Sequence, residues 1–281
     1  VGCRDGIGDI IPKFVPRRRF LPYSLFFNIY GIEPDINEVK KLRSSKQYCE
    51  IYDAAVSNKE SEELLYITQK PGCSSIREPD QEIIKKYFRG RQEWFKVEKK
   101  IKLKTTTLDK IFFKKGLLVD WLKVDVQGSE YEVLQGAENL LKRTTVIILE
   151  TSHLKVYKDQ KIINDVFNIL RENNFDLVLT TYKPRFSIES DLVFVKNIDS
   201  INTYREFLSI TLLFSIFRLD YVNKFIFTKL ISAKLTKKEI NSIKIILKKV
   251  EKPLINPSFE LLVIYIKRLY FIVKKNLNKV I

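Results

Sequence analysis

The sequence predicts an α/β protein: an open, mostly parallel sheet with an antiparallel hairpin at one edge, followed by a C-terminal helical extension. Three observations predict it. Short apolar runs alternate with helix-like stretches, the pattern of strands covered by helices on both faces. The last two apolar runs lie close together around Lys183-Pro184, which reads as a hairpin turn. All nine glycines lie at or before Gly136, so a Gly-punctuated part precedes a Gly-free, Ile/Leu/Lys-rich tail.

Each element has its own signal. Asn28–Ile32 is a buried-strand run ending at Glu33-Pro34, and a helix follows over Asp35–Ser45 with Asp35 placed to cap it. Tyr52–Ser57 is the next strand. Lys70–Lys104, with Pro71-Gly72, Pro79 and many charges, reads as an inserted, lid-like segment that is helical only over Gln81–Phe88. Trp121–Val126 is a strand, followed by a loop and a helix around Tyr131–Lys142. Thr145–Glu150 is the most apolar strand and is β-branched. A helix near Ile162–Asn173 leads to the hairpin strands Asp176–Thr181 and Asp191–Val195. Beyond residue 196 come three helical candidates: Phe207–Leu219, Lys237–Val250 and Phe259–Lys275. None is a run of 18 uncharged apolar residues.

Composition narrows the class. The 281 residues are 45% hydrophobic and 30% charged, which excludes wholesale disorder. Nine Gly and three Cys exclude collagen-like and disulfide-scaffold classes, and Cys3, Cys49 and Cys73 point to a reducing, cytoplasmic compartment. One His and three scattered Cys leave no zinc-site spacing. The sequence has no Met, even at position 1, so it is expected to lack its own start.

The net charge of +16 is unevenly spread. Residues 1–196 carry 34 basic and 28 acidic groups, a net of +6; residues 197–281 carry 16 and 6, a net of +10. Two readings of the excess stand: an anionic partner, or an AT-rich coding sequence that favours Lys, Ile and Asn. The last tail candidate places Lys267-Arg268 and Lys274-Lys275 among apolar residues. It suits a basic amphipathic helix on an anionic membrane surface, or a helix packed on its own domain or on a second subunit.

Ligands of open α/β sheets bind beyond the C-terminal ends of the strands. Three strand ends here carry suggestive residues: the Gly-rich segment Val1–Asp9, the segment Gly31-Ile32-Glu33-Pro34-Asp35, and the segment Lys123–Glu130. A carboxylate directly after a strand, some distance beyond a Gly loop, is placed to grip ribose hydroxyls. An acid at the end of an apolar strand is costly to bury without a partner, so Asp125 marks a site. Candidate proton acceptors are Asp125, Glu150 and His153, the single histidine. Glu130 has the alternative role of capping the following helix.

VGCRDGIG, GIEPD, AAVS, TTTLDKI, WLKVDVQGSEYEVLQGA and VIILE occur in an order and spacing that resemble the FkbM-type S-adenosylmethionine-dependent methyltransferases. The resemblance runs from Val1 to about Lys196, and its most specific part is K-x-D-x-x-G-x-E-x-x-x-L-x-G-A from Lys123 to Ala137. It implies a Rossmann-like, doubly wound methyltransferase fold and S-adenosyl-L-methionine as cofactor. Carried over, Gly2, Asp5 and Gly6 would line the cofactor loop, and Glu33 would hold the ribose. Ala55 to Ser57 would edge the adenine, while Asp125 and Gln127 would stand at the methyl-donor pocket. The acid expected just before Val1 and most of a first strand lie outside the chain. Many members carry Gly-Ala-Asn in place of Gly2-Cys3-Arg4 and Glu in place of Gln127; Gln127 with Gly72-Cys73-Ser74-Ser75 looks like a subgroup.

The resemblance implies an O-methyltransferase acting on a sugar hydroxyl of a glycan, glycolipid or related natural product. Nucleic-acid methylation is the alternative raised by the charge, but no nucleic-acid motif accompanies it. A non-catalytic binding protein on the same fold is the alternative raised by Arg4 and Gln127.

Overall fold

The computed structural model describes residues 1–3, 27–45, 48–182, 188–217 and 235–250. They fall into two compact units, one holding residues 1–3 and Tyr30–Ile201, the other holding residues 27–29 and the described residues from Asn202 on. The expected helix Phe259–Lys275 and the turn at Lys183-Pro184 lie outside the described residues.

The first unit opens with β1 (Tyr30–Glu33), α1 (Ile36–Ser44) and β2 (Glu50–Asp53). β1 and β2 pair in parallel, Tyr30 beside Glu50 and Glu33 beside Asp53. Asp35 caps α1 by accepting from the Asn37 amide at 2.9 Å. Val1 and Gly2 bond to both sides of the fold. The Val1 amine donates to the Lys123 carbonyl at 2.9 Å, and the Asp125 amide donates to the Val1 carbonyl at 3.2 Å. The Gly2 amide donates to the Ile32 carbonyl at 3.0 Å.

The expected strand Tyr52–Ser57 is two short ones, β2 and β3 (Ala55–Val56), which join different sheets. The expected lid contains a strand that the sequence reading missed. β4 (Glu62–Thr68) and β5 (Val97–Thr106) form a long antiparallel pair, and β3 adds to β5 in parallel. Between them, α2 (Gln81–Tyr87) is where the sequence placed it, capped by Asp80 accepting from the Glu82 and Ile83 amides. β5 escaped notice because VEKKIKLKTT is mostly exposed and rich in lysine, so it lacks the apolar run that marks a buried strand.

A π-helical turn (Asp109–Phe113) leads to β6 (Trp121–Val124), α3 (Glu130–Gln135), α4 (Glu138–Leu141), β7 (Val146–Ser152), α5 (Ile163–Glu172), β8 (Phe175–Tyr182) and β9 (Glu189–Lys196). Their four strands lie in the order β6-β7-β9-β8, β6 parallel to β7 and the rest antiparallel, so the hairpin occupies one edge. Among the described strand pairs, three are parallel and three antiparallel, so the sheet content is more mixed than expected. The expected helix Tyr131–Lys142 is broken into α3 and α4 at Gly136. Asp109, from the TTTLDKI motif, explains the break. Its carboxylate accepts from the Asn139 amide at 2.9 Å and the Leu140 amide at 2.8 Å, starting a new helix.

One face of the four-stranded sheet holds the main core. Leu122, Val124, Ile147, Leu149, Leu192 and Phe194 share that face by register and pack with Val133, Leu134 and Leu140 of α3–α4 and Val166 and Leu170 of α5. α5 presents Ile163, Val166, Phe167 and Leu170, the i, i+3, i+4, i+7 stripe of a half-buried helix. The opposite face carries the site.

The second unit contains α6 (Tyr204–Phe217) and α7 (Lys237–Val250), packed on one another. Both start with a Thr-x-x-Glu capping box: Thr203 with Glu206, and Thr236 with Glu239. Among the described residues, no helix is long and apolar enough to cross a membrane.

A Cβ added at Gly136 would stand 2.2 Å from the Ser57 carbonyl oxygen, a backbone atom with nowhere to go. Gly136→Ala should therefore destabilise the fold by about 1–3 kcal/mol through overpacking. Urea unfolding measures this, and an unchanged midpoint would mean that the α3–α4 corner does not press on β3.

Candidate active site

The site grows from the end of β6. Cross-strand partners share a face of the sheet. Glu150 pairs with Asp191, and Asp125, one step past the Val124–Leu149 pair, lies beside Glu150. Three carboxyl groups thus stand in one row across β6, β7 and β9. Lys123, two residues before Asp125 on the same face, is the counter-charge. Its ammonium is 3.7 Å from the Asp125 carboxyl and 3.9 Å from that of Asp191.

Asp125 keeps 22% of its side-chain surface, yet its pKa is pushed up. Removal from water is the main cause. Lys123 opposes the rise, and the charge and hydrogen bond of neighbouring Glu150 add to it. The Asp125–Glu150 pair therefore holds on to a proton more tightly than an ordinary carboxylate, a shift in the direction that a general base needs.

The loop after Asp125 is tightly determined. Gln127 and Gly128 both have left-handed backbones, φ 56° and 99°. Under the loop lies Glu130, 2% exposed, whose carboxyl accepts from the Val126 amide at 3.2 Å and from the Gly128 amide at 3.1 Å. Glu130 thus opens α3 and ties down the loop before it, the capping alternative in an enlarged form. Burial raises its pKa to about 7 against the pull of those amides. Gly2 (φ 72°) presses on the Asp125 carbonyl so closely that an added Cβ would stand 1.8 Å from it.

Gln127 links this loop to the inserted segment. Its amide Nε2 donates to Asp125 Oδ1 at 2.8 Å, and its Oε1 faces the Tyr157 hydroxyl at 3.3 Å. Tyr157, fully buried, also donates to the Cys73 carbonyl at 2.9 Å. Burial keeps its phenol protonated, with a pKa raised well above 10. Gln127 and the Gly72–Ser75 segment, paired in the sequence reading only by resemblance, meet through this one tyrosine. With Glu in place of Gln127, a carboxylate would instead face Asp125.

A small cleft, open to solvent, lies over these groups, lined among others by Gln127, Glu130, Glu150, Thr151, Tyr157 and Glu189. Thr151 Oγ1 is buried here without a hydrogen-bond partner, an available donor or acceptor at the cleft wall. Among the described residues, no group of three His, Cys, Asp or Glu is arranged to hold a metal ion.

The other predicted residues are distributed as follows. Glu33 is buried at the end of β1 and accepts from the Asp35 amide at 3.0 Å. Ala55 and Ser57 are buried along β3 and its exit, where the Ser57 amide donates to the Thr106 carbonyl. His153 is exposed; its ring bonds to the Ser190 hydroxyl at 2.8 Å, and it is not among the cleft-lining residues. Asp5, Gly6 and Arg4 lie outside the described residues. Sequence reasoning missed Lys123, Asp191 and Tyr157. Asp191 carried the signal used for Asp125, an acid at one end of an apolar strand. Tyr157 carried none.

Comparison with known proteins now decides the family. The model of the methyltransferase FkbM domain matches residues 24–177. The chain belongs to the FkbM methyltransferase family. It is also 24% identical over 189 residues to the 2-O-methyltransferase NoeI of Sinorhizobium fredii, covering 63% of this chain and 71% of that protein.

The raised pKa of Glu130 has a sign. An unfolded glutamate titrates near 4.5 and the folded one near 7, so the native state holds the extra proton. Its stabilising contribution is complete below about pH 4.5 and is lost as pH rises through 7. Thermal midpoints should fall less between pH 5 and 8 in Glu130→Gln than in the parent chain; identical pH slopes would contradict the burial effect.

Proposed function

We propose that this chain is an S-adenosylmethionine-dependent O-methyltransferase that methylates a sugar hydroxyl of a glycan, glycolipid or related natural product. The observation that carries the reading is the carboxylate row Asp125–Glu150–Asp191 with Lys123 beside it, set at strand ends within a family of methyltransferases. The name of the Sinorhizobium relative, a 2-O-methyltransferase, supports transfer to oxygen. The same reading takes β2, β1, the Val1–Gly2 segment, β6, β7, β9 and β8 as one doubly wound, Rossmann-like sheet. The hydrogen bonds from Val1 and Gly2 to both halves support it.

The residues present fit the cofactor's chemistry. Carboxyl groups in a row complement a cationic sulfonium. Glu33, a buried carboxylate at the end of β1, offers the acceptor oxygens that ribose hydroxyls require. When bound, S-adenosylmethionine supplies an electrophilic methyl group. The protein's part is to hold the acceptor hydroxyl in line and to take its proton. Asp125, hydrogen-bonded to Glu150 and oriented by Gln127 Nε2, is the group placed to take it. Tyr157 fixes Gln127 in turn, which makes Gln127 and Tyr157 positioning residues.

Calorimetric titration with S-adenosylmethionine tests the cofactor, and the absence of binding to the intact protein would reject the reading. Glu33→Ala should weaken that binding by roughly 10- to 100-fold, the worth of hydrogen bonds to a charged group.

Transfer of labelled methyl groups to sugar acceptors tests the chemistry. Asp125→Asn should lower kcat by about 10²–10⁴-fold, the usual contribution of a positioned base. Because only the deprotonated pair accepts a proton, activity should decline as pH falls toward the raised pKa. An undiminished kcat in Asp125→Asn would reject Asp125 as the base.

A further inference from the structure

The positive charge of residues 1–196 is concentrated in one place. Residues 85–104 carry nine basic and two acidic side chains, a net of +7, while the rest of residues 1–196 has a net of −1. This stretch runs from the end of α2 through a short 3-10 turn (Gln92–Phe95) into β5.

The register of β4 and β5 sorts these charges. Lys100 pairs with Tyr66, Lys102 with Leu64 and Lys104 with Glu62, so all six share one face. The three lysines are exposed and stand about 7 Å apart along the strand. Lys100 lies over the Tyr66 ring at 5.1 Å, and Leu64 is 37% exposed between the outer lysines. On the opposite face Leu65 is buried and Glu63, Ile67 and Leu103 are half-buried, with Lys99 and Ile101 exposed, so the lysine face is the more open one. Near the start of β5, Trp94 lies between two cations, with Lys70 at 3.6 Å and Arg91 at 5.0 Å from its ring. Tyr87, beside Lys86, is 44% exposed.

We propose that this more open face of the β4–β5 pair is a docking surface for an anionic lipid membrane. A flat row of flexible lysine point charges with exposed Leu and Tyr among them matches a bilayer surface: ammonium groups meet lipid phosphates, while apolar side chains and ring edges enter the interfacial layer. Sequence-reading nucleic-acid surfaces rely instead on arginine forks, and the strand face has none. The surface communicates with the cleft through short steps. Tyr66 bridges to Ser75, and Cys73 holds Tyr157. A membrane-held β4–β5 pair would thus keep the cleft near acceptors that reside in the bilayer.

Lysines on a strand edge also discourage edge-to-edge pairing, and the test separates the two roles. The full chain is pelleted with sucrose-loaded vesicles of phosphatidylcholine alone, or of phosphatidylcholine with 30% phosphatidylserine, as chosen probes. The parent should bind the anionic vesicles, release them in about 0.5 M salt, and ignore the neutral ones. K100Q/K102Q/K104Q should weaken binding by about 100-fold, whereas the charge-matched K59Q/K114Q/K155Q should change it less than threefold. L64S, which alters no charge, should weaken it severalfold. Equal losses in the two triple variants would overturn the proposal. So would a lysine-face triple variant that self-associates while still binding vesicles, or one that loses duplex DNA binding but not vesicle binding.

Discussion

Three carboxyl groups in one row at the ends of adjacent strands are the constraint around which the first unit is arranged. Like charges directly across a sheet repel, and burial makes each more costly. The protein answers with the Lys123 ammonium, within 4 Å of two of them, and with an Asp125 carboxyl that holds its proton more tightly than an ordinary carboxylate. Neither would be stable without the apolar face behind. Leu122, Val124, Ile147 and Leu149 alternate with the polar positions and fix which side chains point to the site. The register therefore sets the electrostatics, because a slip of one residue would exchange the two faces.

The second constraint is backbone. The loop from Asp125 to Ser129 puts a non-glycine residue, Gln127, into left-handed space, which must be held by its surroundings. Glu130 binds the loop amides from below, Gly2 closes on the Asp125 carbonyl, and Gly128 leaves just enough room for the Tyr157 ring. Each fits only if the others are in place. The Lys123–Ala137 motif is thus as much about holding a loop as about chemistry: Glu130 is a structural anchor, and Gly136 serves a helix corner against Ser57. The Leu108-Asp109 pair is structural too, with Leu108 fully buried and Asp109 starting α4.

Much of this was legible in advance. α2 and α7 lie within a residue of their expected bounds, and the Thr-x-x-Glu boxes carry their own geometry in local hydrogen bonds. β7 and β9 were readable because burial on both faces leaves an uninterrupted apolar run. β5 was not, because a strand exposed on both faces has no reason to be apolar. Asp125 and Glu150 were singled out one by one as acids at strand ends. Their being neighbours, and Asp191 joining them, depended on the antiparallel placement of β9 beside β7, which no local pattern encodes.

By itself, the sequence determined the kinds of element, the family, and which acids stand at strand ends. These depend on periodicity, capping and motif spacing, all written over a few consecutive residues. Only the tertiary structure decided that Lys123 faces two acids, that Gln127 meets Cys73 through Tyr157, and that Lys100, Lys102 and Lys104 line one side of a strand pair. Those are contacts between residues tens of positions apart, and strand register, not local propensity, brings them together.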